Sequence, residues 1–235
     1  LADGHDYQVV TNDASRTAEM TTARYAELGI EVDPARVLTS GMLIPPYFEA
    51  NGLAGATTLV LGTEASRGYV RAAGGEVVDI DPTVAYDVVV CADDDGYPFF
   101  PGVDAALSAI IRGCEAGNPP HLILPNPDLI YPKASGQFGF TSGAVALILE
   151  AGLRRRLGAD APTFAALGKP NPPIYEQAKK RADGSRLLMV GDQLETDIAG
   201  ALGVGLDAAL LTTGVTRWSD DASIVPNYIV ERLWD

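Results

Sequence analysis

The chain has 235 residues, of which 47% are hydrophobic and 20% are charged, and its formal net charge is −14 with a pI near 4.4. A chain of this length can bury a substantial core, and none of its apolar runs approaches the roughly 20 residues that a membrane-spanning helix needs, so we expect a soluble globular protein with no membrane partner. The acidic balance argues against sequence-independent binding of nucleic acid, because such binding depends on Lys and Arg neutralising phosphates.

Apolar strands and helices with one apolar face alternate along the chain. Strands are predicted at residues 7–11, 57–61, 76–80, 87–91, 122–124, 187–190 and 208–211. Helices are predicted at residues 17–28, 64–73, 103–114, 142–154, 174–180 and 196–202. This alternation predicts an α/β fold in which helices cover a parallel sheet. Asp81-Pro82 and residues 158–163 interrupt the pattern, which indicates an inserted α/β unit in the middle of the chain.

Two features bear on where the protein works. Its two cysteines, Cys91 and Cys114, show no metal-ligand spacing and do not suggest a disulfide scaffold, so we expect reduced thiols. The sequence has no secretory signal, and it begins at Leu1 without a methionine. We therefore expect a cytoplasmic protein whose first residues are missing from this sequence.

Polar residues stand where three apolar stretches end. Gly191 and Asp192 follow the strand predicted at 187–190, with Asp197 five residues after Asp192. Short apolar runs are typical of buried parallel strands, and ligands collect at the carboxyl ends of such strands. Asp192 is therefore expected to face a crevice. Thr11-Asn12 and Lys169 stand at corresponding places earlier in the chain.

These residue types suit phosphoryl transfer, which needs a metal ion, a fixed cation and hydrogen-bond donors around the transferring group. Asp192 could coordinate Mg²⁺, and Asp197 could orient the site or hold a lysine. Lys169 supplies a point charge for a phosphate oxygen, and the Thr11 hydroxyl and the Asn12 amide supply donors. Together these five residues predict a phosphate pocket.

Each motif by itself also has a purely structural interpretation. A Gly-Asp pair at the end of a strand is often only a turn and a helix cap, with Asp197 as a solvated helix residue. Thr11-Asn12 could form an Asx turn, and a lysine before a proline is usually a surface residue. The order of the three motifs, each after an apolar stretch, favours the functional interpretation.

The combination resembles the haloacid dehalogenase superfamily of phosphohydrolases. The resemblance rests on Thr11-Asn12, on Gly168-Lys169-Pro170-x-Pro172, and on Gly191-Asp192 with Asp197, which are similar to the second, third and fourth motifs of that family. The Thr-Asn-x-x-Ser-Arg form and the long segment after it resemble the branch of p-nitrophenylphosphatases and NagD-like phosphatases. The similarity spans nearly the whole chain.

The resemblance implies a role for each motif residue. Thr11 would bind a phosphoryl oxygen, and Asn12 would orient the phosphate or the substrate. Lys169 would neutralise charge. Asp192 would hold Mg²⁺, the expected cofactor, and Asp197 would support that metal site.

The resemblance also implies a Rossmann-like parallel-sheet core with an inserted α/β cap. The core would comprise residues 1–81 and 167–235, and the cap would comprise residues 82–166. Within the cap, Asn126 and Asp128 are candidate substrate-binding residues. A homodimer would form through the cap.

One family feature is absent. The first motif is Asp-x-Asp at the tip of the first strand, where one Asp attacks phosphorus and the other is general acid and base. Asp3 and Asp6 precede Thr11 but stand at the wrong end of their strand, and Asp79-Ile80-Asp81 comes too late in the chain, so we interpret the latter as a turn. The family's first strand lies centrally in its sheet, so we expect that roughly 20 to 30 residues are missing, including the nucleophile.

The sequence therefore predicts a Mg²⁺-dependent phosphomonoesterase that acts on a small phosphorylated metabolite, with the given 235 residues catalytically incomplete. The alternative is a phospho-ligand binding protein that keeps the fold and lacks the chemistry. A nucleotide-dependent oxidoreductase is disfavoured, because no Gly-x-Gly-x-x-Gly follows a predicted strand.

Overall fold

The computed structural model describes residues 6–219 and 221–233, so Asp3 lies outside the described residues. The chain divides into two compact units, Leu1–Leu167 and Gly168–Asp235. Among the described residues, no helix is both long enough and apolar enough to cross a membrane.

The described residues form twelve strands and seven α-helices. The strands are β1 (Val9–Thr11), β2 (Val37–Thr39), β3 (Thr57–Leu61), β4 (Glu76–Val77), β5 (Val88–Cys91), β6 (His121–Leu124), β7 (Ile130–Pro132), β8 (Phe138–Phe140), β9 (Ala165–Ala166), β10 (Leu188–Gly191), β11 (Asp207–Leu211) and β12 (Tyr228–Val230). The helices are α1 (Ala18–Glu27), α2 (Ile44–Asn51), α3 (Glu64–Ala72), α4 (Phe99–Glu115), α5 (Ser142–Leu157), α6 (Pro172–Arg181) and α7 (Ala199–Gly203).

The first unit is built on a buried five-stranded parallel sheet with the order β4-β3-β5-β6-β9. Its central strand β5 is completely buried, as expected for a β-branched run that is covered on both faces. Ile110 of α4 and Leu149 and Leu153 of α5 are fully buried in the same core. A parallel pair β1-β2 and an antiparallel hairpin β7-β8 complete the strands of this unit.

The five-stranded sheet takes strands from both sides of Asp81-Pro82. β3 and β4 precede that pair, and β5, β6 and β9 follow it. The division of the chain at residues 81 and 82 stays a prediction. The predicted α/β class, with parallel sheets, helices and an α/β cap, is confirmed.

The second unit is a three-stranded parallel sheet with the order β10-β11-β12. The sequence indicated that its first strand would be buried, and this expectation is wrong for two side chains. Leu188 is 50% exposed and Val190 is 40% exposed. The physical reason is that β10, among the described residues, pairs only with β11 and is the edge of its sheet.

Several elements differ from their predicted bounds. The strand predicted at 76–80 ends at Val77. The Val78 N–H still donates to the carbonyl of Thr58 on β3, and the backbone of Asp79 and Asp81 then bonds the Tyr86 hydroxyl where a strand partner would otherwise stand. The helix predicted at 196–202 is a π-helical turn, Leu194–Ile198, followed by α7. The short strand β2 and the helix α2 are not predicted. Two prolines obscure α2 in the sequence, although they lie in its first turn, where a proline is tolerated.

Candidate active site

In the first unit, β1 ends at Thr11 and leads into a tightly held loop. Asn12 is 4% exposed, and its carbonyl accepts a hydrogen bond of 2.6 Å from the Ser40 hydroxyl. The Thr11 hydroxyl accepts the N–H of Asp13 at 3.2 Å, and the Asp13 carboxylate accepts the N–H of Ser15 at 2.8 Å. An Asx turn in this loop is formed by Asp13, one residue after the Thr11-Asn12 pair at which the sequence allowed one.

The start of α3 fixes the next residues of the loop. Thr63 caps α3 and donates its hydroxyl to the carbonyl of Ser15 at 2.8 Å, while the Ser66 hydroxyl donates to the carbonyl of Ala14 at 2.8 Å. These bonds satisfy loop carbonyls within the unit, so the backbone of the loop has a defined conformation. A rigid loop is what a phosphate-binding segment requires.

The buried Asn12 amide contacts a residue far away in the sequence. Its Nδ2 donates to Asp128 Oδ1 at 3.0 Å, across 116 positions of the chain. Asp128 is in turn held by its own turn, in which its N–H donates to Asn126 Oδ1 at 3.0 Å and its carbonyl accepts the Thr141 hydroxyl and the Gly143 N–H. Asn12, Asn126 and Asp128, which the sequence placed in two separate roles, thus belong to one hydrogen-bonded group.

The same loop contains an ion pair between Asp13 and Arg16, which the sequence motif did not by itself predict. Arg16 contacts Asp13 at 2.7 Å, and the side chains are 38% and 21% exposed. This hydrogen bond to Asp13, helped by the nearby charge of Asp93, raises the pKa of Arg16 above its usual value. The signal for this pair lay in the sequence, since Asp13 stands three positions before the Arg16 of the Thr-Asn-x-x-Ser-Arg motif.

In the second unit, Lys169 and Asp197 form a buried ion pair. Lys169 Nζ lies 2.6 Å from Asp197 Oδ1, and the two side chains are 13% and 4% exposed. Lys169 precedes α6, where Asn171 is the N-cap and folds its side-chain amide back onto the carbonyl of Gly168 at 3.0 Å. The structural interpretation of Lys169 as a solvated surface residue before a proline is therefore wrong.

Asp197 also organises the tip of β10. Its Oδ2 accepts the N–H of Asp192 at 3.2 Å and the N–H of Gln193 at 3.1 Å. A Cβ on Gly191 would lie 2.4 Å from this carboxylate, so glycine is required where the strand ends. Both oxygens of Asp197 are engaged by the protein, which fits the predicted role of holding a lysine better than direct metal ligation.

Asp192 is half-buried, and its Oδ2 accepts the N–H of Val215 at 2.9 Å. No group of three or more His, Cys, Asp or Glu side chains among the described residues forms a complete metal site. A single carboxylate nevertheless suits Mg²⁺, which binds through one or two carboxylates and keeps several waters. The donor chemistry of Asp192 therefore fits this metal.

The acidic residues considered as nucleophiles lie in structural contacts. Asp6 pairs with Arg36 before β1 begins. The Asp81 carboxylate accepts the hydroxyl and the N–H of Thr83, both at 2.7 Å, and these bonds lower the pKa of Asp81. The interpretation of Asp81-Pro82 as a turn is confirmed.

Comparisons with known proteins agree with these motifs. A family model described as haloacid dehalogenase-like hydrolase matches residues 2–76, and one described as HAD-hydrolase-like matches residues 166–235. An acid sugar phosphatase of Staphylococcus haemolyticus is 30% identical over 213 residues, which is 90% of this chain and 74% of that protein.

Solved structures show the same likeness. A double mutant of a thermostable NPPase from Geobacillus stearothermophilus has a TM-score of 0.79 and 27% identity, covering 96% of this chain and 83% of its own. A glycerol phosphate phosphatase from Mycobacterium tuberculosis in complex with magnesium has a TM-score of 0.77 and 28% identity, covering 95% of this chain and 64% of its own. The chain therefore belongs to the haloacid dehalogenase superfamily of hydrolases, in the NagD-like branch that its three motifs predicted.

Proposed function

We propose that this protein is a Mg²⁺-dependent phosphomonoesterase that acts on a small phosphorylated metabolite in the cytoplasm. The observation that carries the proposal is the buried Lys169–Asp197 pair at the tip of β10. Asp197 holds the Lys169 ammonium and also accepts the N–H of Asp192, so a fixed positive charge and the Asp192 carboxylate belong to the same hydrogen-bonded group. Burying a charged pair is costly, and a site that must neutralise a phosphate gives a reason for keeping it. The similarity to an acid sugar phosphatase and to a glycerol phosphate phosphatase supports the substrate class.

The proposal gives each motif residue a role. The Thr11 hydroxyl and the Asn12 amide donate hydrogen bonds to phosphoryl oxygens, and the Lys169 ammonium neutralises their charge. Asp192 holds the metal, and Asp197 positions Lys169 and the backbone of Asp192. When bound, Mg²⁺ would stabilise the negative charge that develops on the phosphoryl oxygens.

The chemical step follows the aspartyl-phosphate route. A carboxylate oxygen attacks phosphorus, the ester P–O bond breaks, and the leaving alcohol takes a proton from a second carboxylic acid. Water then attacks the acyl phosphate, releasing inorganic phosphate and restoring the carboxylate. We propose that both acids lie on a strand that precedes β1 and is not part of the given sequence. The place of β10 in its sheet supports this proposal, because among the described residues β10 pairs only with β11 and a further parallel strand could pair with its open edge.

A non-catalytic phospho-ligand binding protein is the second candidate. The observation in its favour is that the residues before Thr11 contain no Asp-x-Asp at a strand tip. The two candidates make opposite predictions for the extended protein, by which we mean the chain with whatever coding sequence precedes Leu1. An Asp-x-Asp after an apolar run supports the enzyme, and its absence supports the binding protein.

Phosphate release tests the enzyme proposal. The extended protein is expected to hydrolyse p-nitrophenyl phosphate and glycerol phosphate with Mg²⁺ and to lose activity in EDTA. Asp192→Asn should reduce the rate by at least about 100-fold, as for loss of a group that stabilises the transition state. Glu195→Gln, an exposed neighbour in the same turn, is the matched control and should keep the wild-type rate. Full activity of Asp192→Asn would refute the metal assignment, and the 235 residues alone should release little phosphate.

We propose that Asn126 and Asp128 help to bind the leaving group of the substrate. Asp128 would do so together with Asn12, whose amide it accepts, and Asn126 would hold Asp128 in place. Asp128→Asn preserves the shape of the side chain but offers Asn12 a neutral acceptor, so selectivity between sugar phosphates and p-nitrophenyl phosphate should change. Unchanged ratios of kcat/KM across a panel of phosphate esters would contradict this assignment.

We further propose a homodimer through the cap, formed by the hairpin β7-β8. Ile130, Phe138 and Phe140 on this hairpin are 54%, 66% and 70% exposed, and an isolated two-stranded hairpin with apolar side chains in water is only marginally stable. Light scattering after size exclusion should give twice the monomer mass, and Phe140→Asp should reduce it to the monomer. A monomeric wild-type protein would contradict the proposal.

A further inference from the structure

The loop that follows β11 reaches over the tip of β10 and holds Asp192 from one side. Three hydrogen bonds join the two segments. Val215 N–H donates to Asp192 Oδ2 at 2.9 Å, Thr216 N–H donates to the carbonyl of Asp192 at 3.0 Å, and Leu194 N–H donates to the Thr216 hydroxyl at 3.0 Å. None of these residues belongs to the three family-like motifs except Asp192 itself.

The approach of the two segments is close enough to require a glycine. A Cβ at Gly214 would lie 2.1 Å from both Cβ and Oδ2 of Asp192, which is far inside van der Waals contact. The backbone of Gly214 therefore lies flat against the Asp192 side chain. Because the Val215 N–H binds one carboxylate oxygen and the Gly214 backbone lies against the side chain, the carboxylate is restricted to one orientation.

The bonding leaves the two oxygens of Asp192 in different environments. Oδ2 is bound to Val215, whereas Oδ1 accepts no hydrogen bond from the described residues. A carboxylate that is fixed through one oxygen presents the other in a defined direction. Mg²⁺ demands near-ideal octahedral geometry, so a defined direction of its carboxylate ligand is required for tight binding.

Thr216 has a second effect through its hydroxyl. Leu194, whose N–H it accepts, begins the π-helical turn Leu194–Ile198 that carries Asp197. The Thr216 side chain therefore fixes the beginning of the turn, while its N–H fixes the carbonyl of Asp192. One residue of the β11 loop thus restrains both acids of the proposed site.

We propose that Thr216 is a positioning residue for the Mg²⁺ ligand Asp192, with Gly214 providing the space for the carboxylate. This inference rests on the proposed function, because it gives Asp192 the role of metal ligand. Thr216 acts on Asp192 through the backbone, because its N–H binds the Asp192 carbonyl and its hydroxyl binds the N–H of Leu194. Groups that orient a metal ligand from outside are expected to matter by about 10 to 100-fold in metal affinity. Thr216 is therefore expected to determine the affinity for Mg²⁺ more than the chemical rate at saturating Mg²⁺.

The test is a Mg²⁺ titration of the extended protein by calorimetry, together with urea unfolding in EDTA. Thr216→Val removes the hydroxyl but keeps the branched shape, and it should weaken Mg²⁺ binding by about 10-fold or more. Thr216→Ser keeps the hydroxyl and should restore affinity to within about threefold of wild type. Thr213→Val, at an exposed threonine of the same loop, is the matched control and should leave affinity unchanged.

Kinetics provide a second readout. With Thr216→Val, the Mg²⁺ concentration for half-maximal activity should rise by a factor similar to that seen in the titration, while kcat at saturating Mg²⁺ stays within about threefold. An unchanged Mg²⁺ affinity in Thr216→Val would overturn the inference. This holds even if the stability of the variant in EDTA falls, because Thr216 would then be only a structural residue.

The outcomes distinguish this inference from the function on which it rests. If Asp192→Asn abolishes Mg²⁺ binding and Thr216→Val has no effect on it, the positioning role fails and the proposed function stands. If Mg²⁺ binds wild type and Asp192→Asn equally, the metal assignment fails, and the positioning role fails with it.

Discussion

The buried pair between Lys169 and Asp197 allows the sharpest prediction about stability. Asp197→Asn keeps the size of the side chain and removes its charge. The native carboxylate serves three donors, which are the Lys169 ammonium at 2.6 Å and the N–H groups of Asp192 and Gln193 at 3.2 and 3.1 Å. An amide has only one acceptor atom, and its NH₂ group would face one of these donors.

The expected loss follows from this geometry. Removing one partner of a buried ion pair costs about 3–5 kcal/mol, because the remaining charge loses the opposite charge that offset its desolvation. The Asp197 side chain is buried at 4% exposure, and the Lys169 side chain is mostly shielded from solvent at 13%. In a chain of this length, a loss of about 3–5 kcal/mol corresponds to a fall in melting temperature of about 6–20 °C.

Urea unfolding followed by circular dichroism measures this loss. The matched control is Glu176→Gln, because Glu176 pairs with Lys179 at 3.0 Å but the two side chains are 53% and 34% exposed. An exposed pair of this kind contributes at most about 1 kcal/mol. A free energy of unfolding for Asp197→Asn that falls no further than that of the control would refute the reasoning.

A double-mutant cycle with Lys169→Met separates the pair from its surroundings. If the cost arises from an uncompensated charge, the double variant Lys169→Met with Asp197→Asn should lose about as much stability as one single variant. Additive losses would show that the two residues stabilise the unit independently.

Three further changes have expected outcomes. Gly191→Ala places a Cβ 2.4 Å from the Asp197 carboxylate, so it should destabilise the protein by more than about 1 kcal/mol in urea unfolding, and wild-type stability would contradict the contact. Thr17→Ala removes the N-cap of α1 and should cost about 1 kcal/mol by the same measurement, whereas Thr17→Ser should cost far less. Burial, together with repulsion from Asp93, raises the pKa of Asp94 above its ordinary value, so its ionised form destabilises the folded state. Asp94→Asn should therefore raise the free energy of unfolding at pH 7. This gain should shrink as the pH falls through the raised pKa of the folded state and vanish below the pKa of the unfolded state. Urea unfolding that gives an equal gain at pH 3 and pH 7 would contradict this assignment.

The elements that could be predicted are those whose signals are local. The strand at Thr57–Leu61 was predicted at its observed bounds, and α1 and α3 within a residue at either end, because a polar cap and a periodic apolar face lie next to each other in the sequence. A strand was predicted at β4, but its observed limits have no such signal, and the two-residue strand β9 was not predicted at all. Their limits depend on which neighbouring strand supplies hydrogen bonds, and that is a property of the folded sheet.

The candidate site likewise has features that the sequence predicted and features that it did not. Its motif residues could be identified because each follows an apolar run within a few positions, which is where parallel strands present polar groups. The bond from Asn12 to Asp128 and the bonds from Val215 and Thr216 to Asp192 could not be foreseen, since no short-range pattern relates residues that are 116 positions or more than 20 positions apart.

The sequence by itself therefore determined the α/β class, the family and the types of side chain available for chemistry. These follow from hydrophobic periodicity and from short motifs, both of which are written in consecutive residues. Only the tertiary structure decided that Asp197 uses both oxygens within the protein, that Asp192 keeps one oxygen without a hydrogen bond from the described residues, and that β10 is a half-exposed edge. The physical reason is that hydrogen-bond partners and burial depend on how distant segments pack, and the same local sequence can satisfy its polar groups in more than one way.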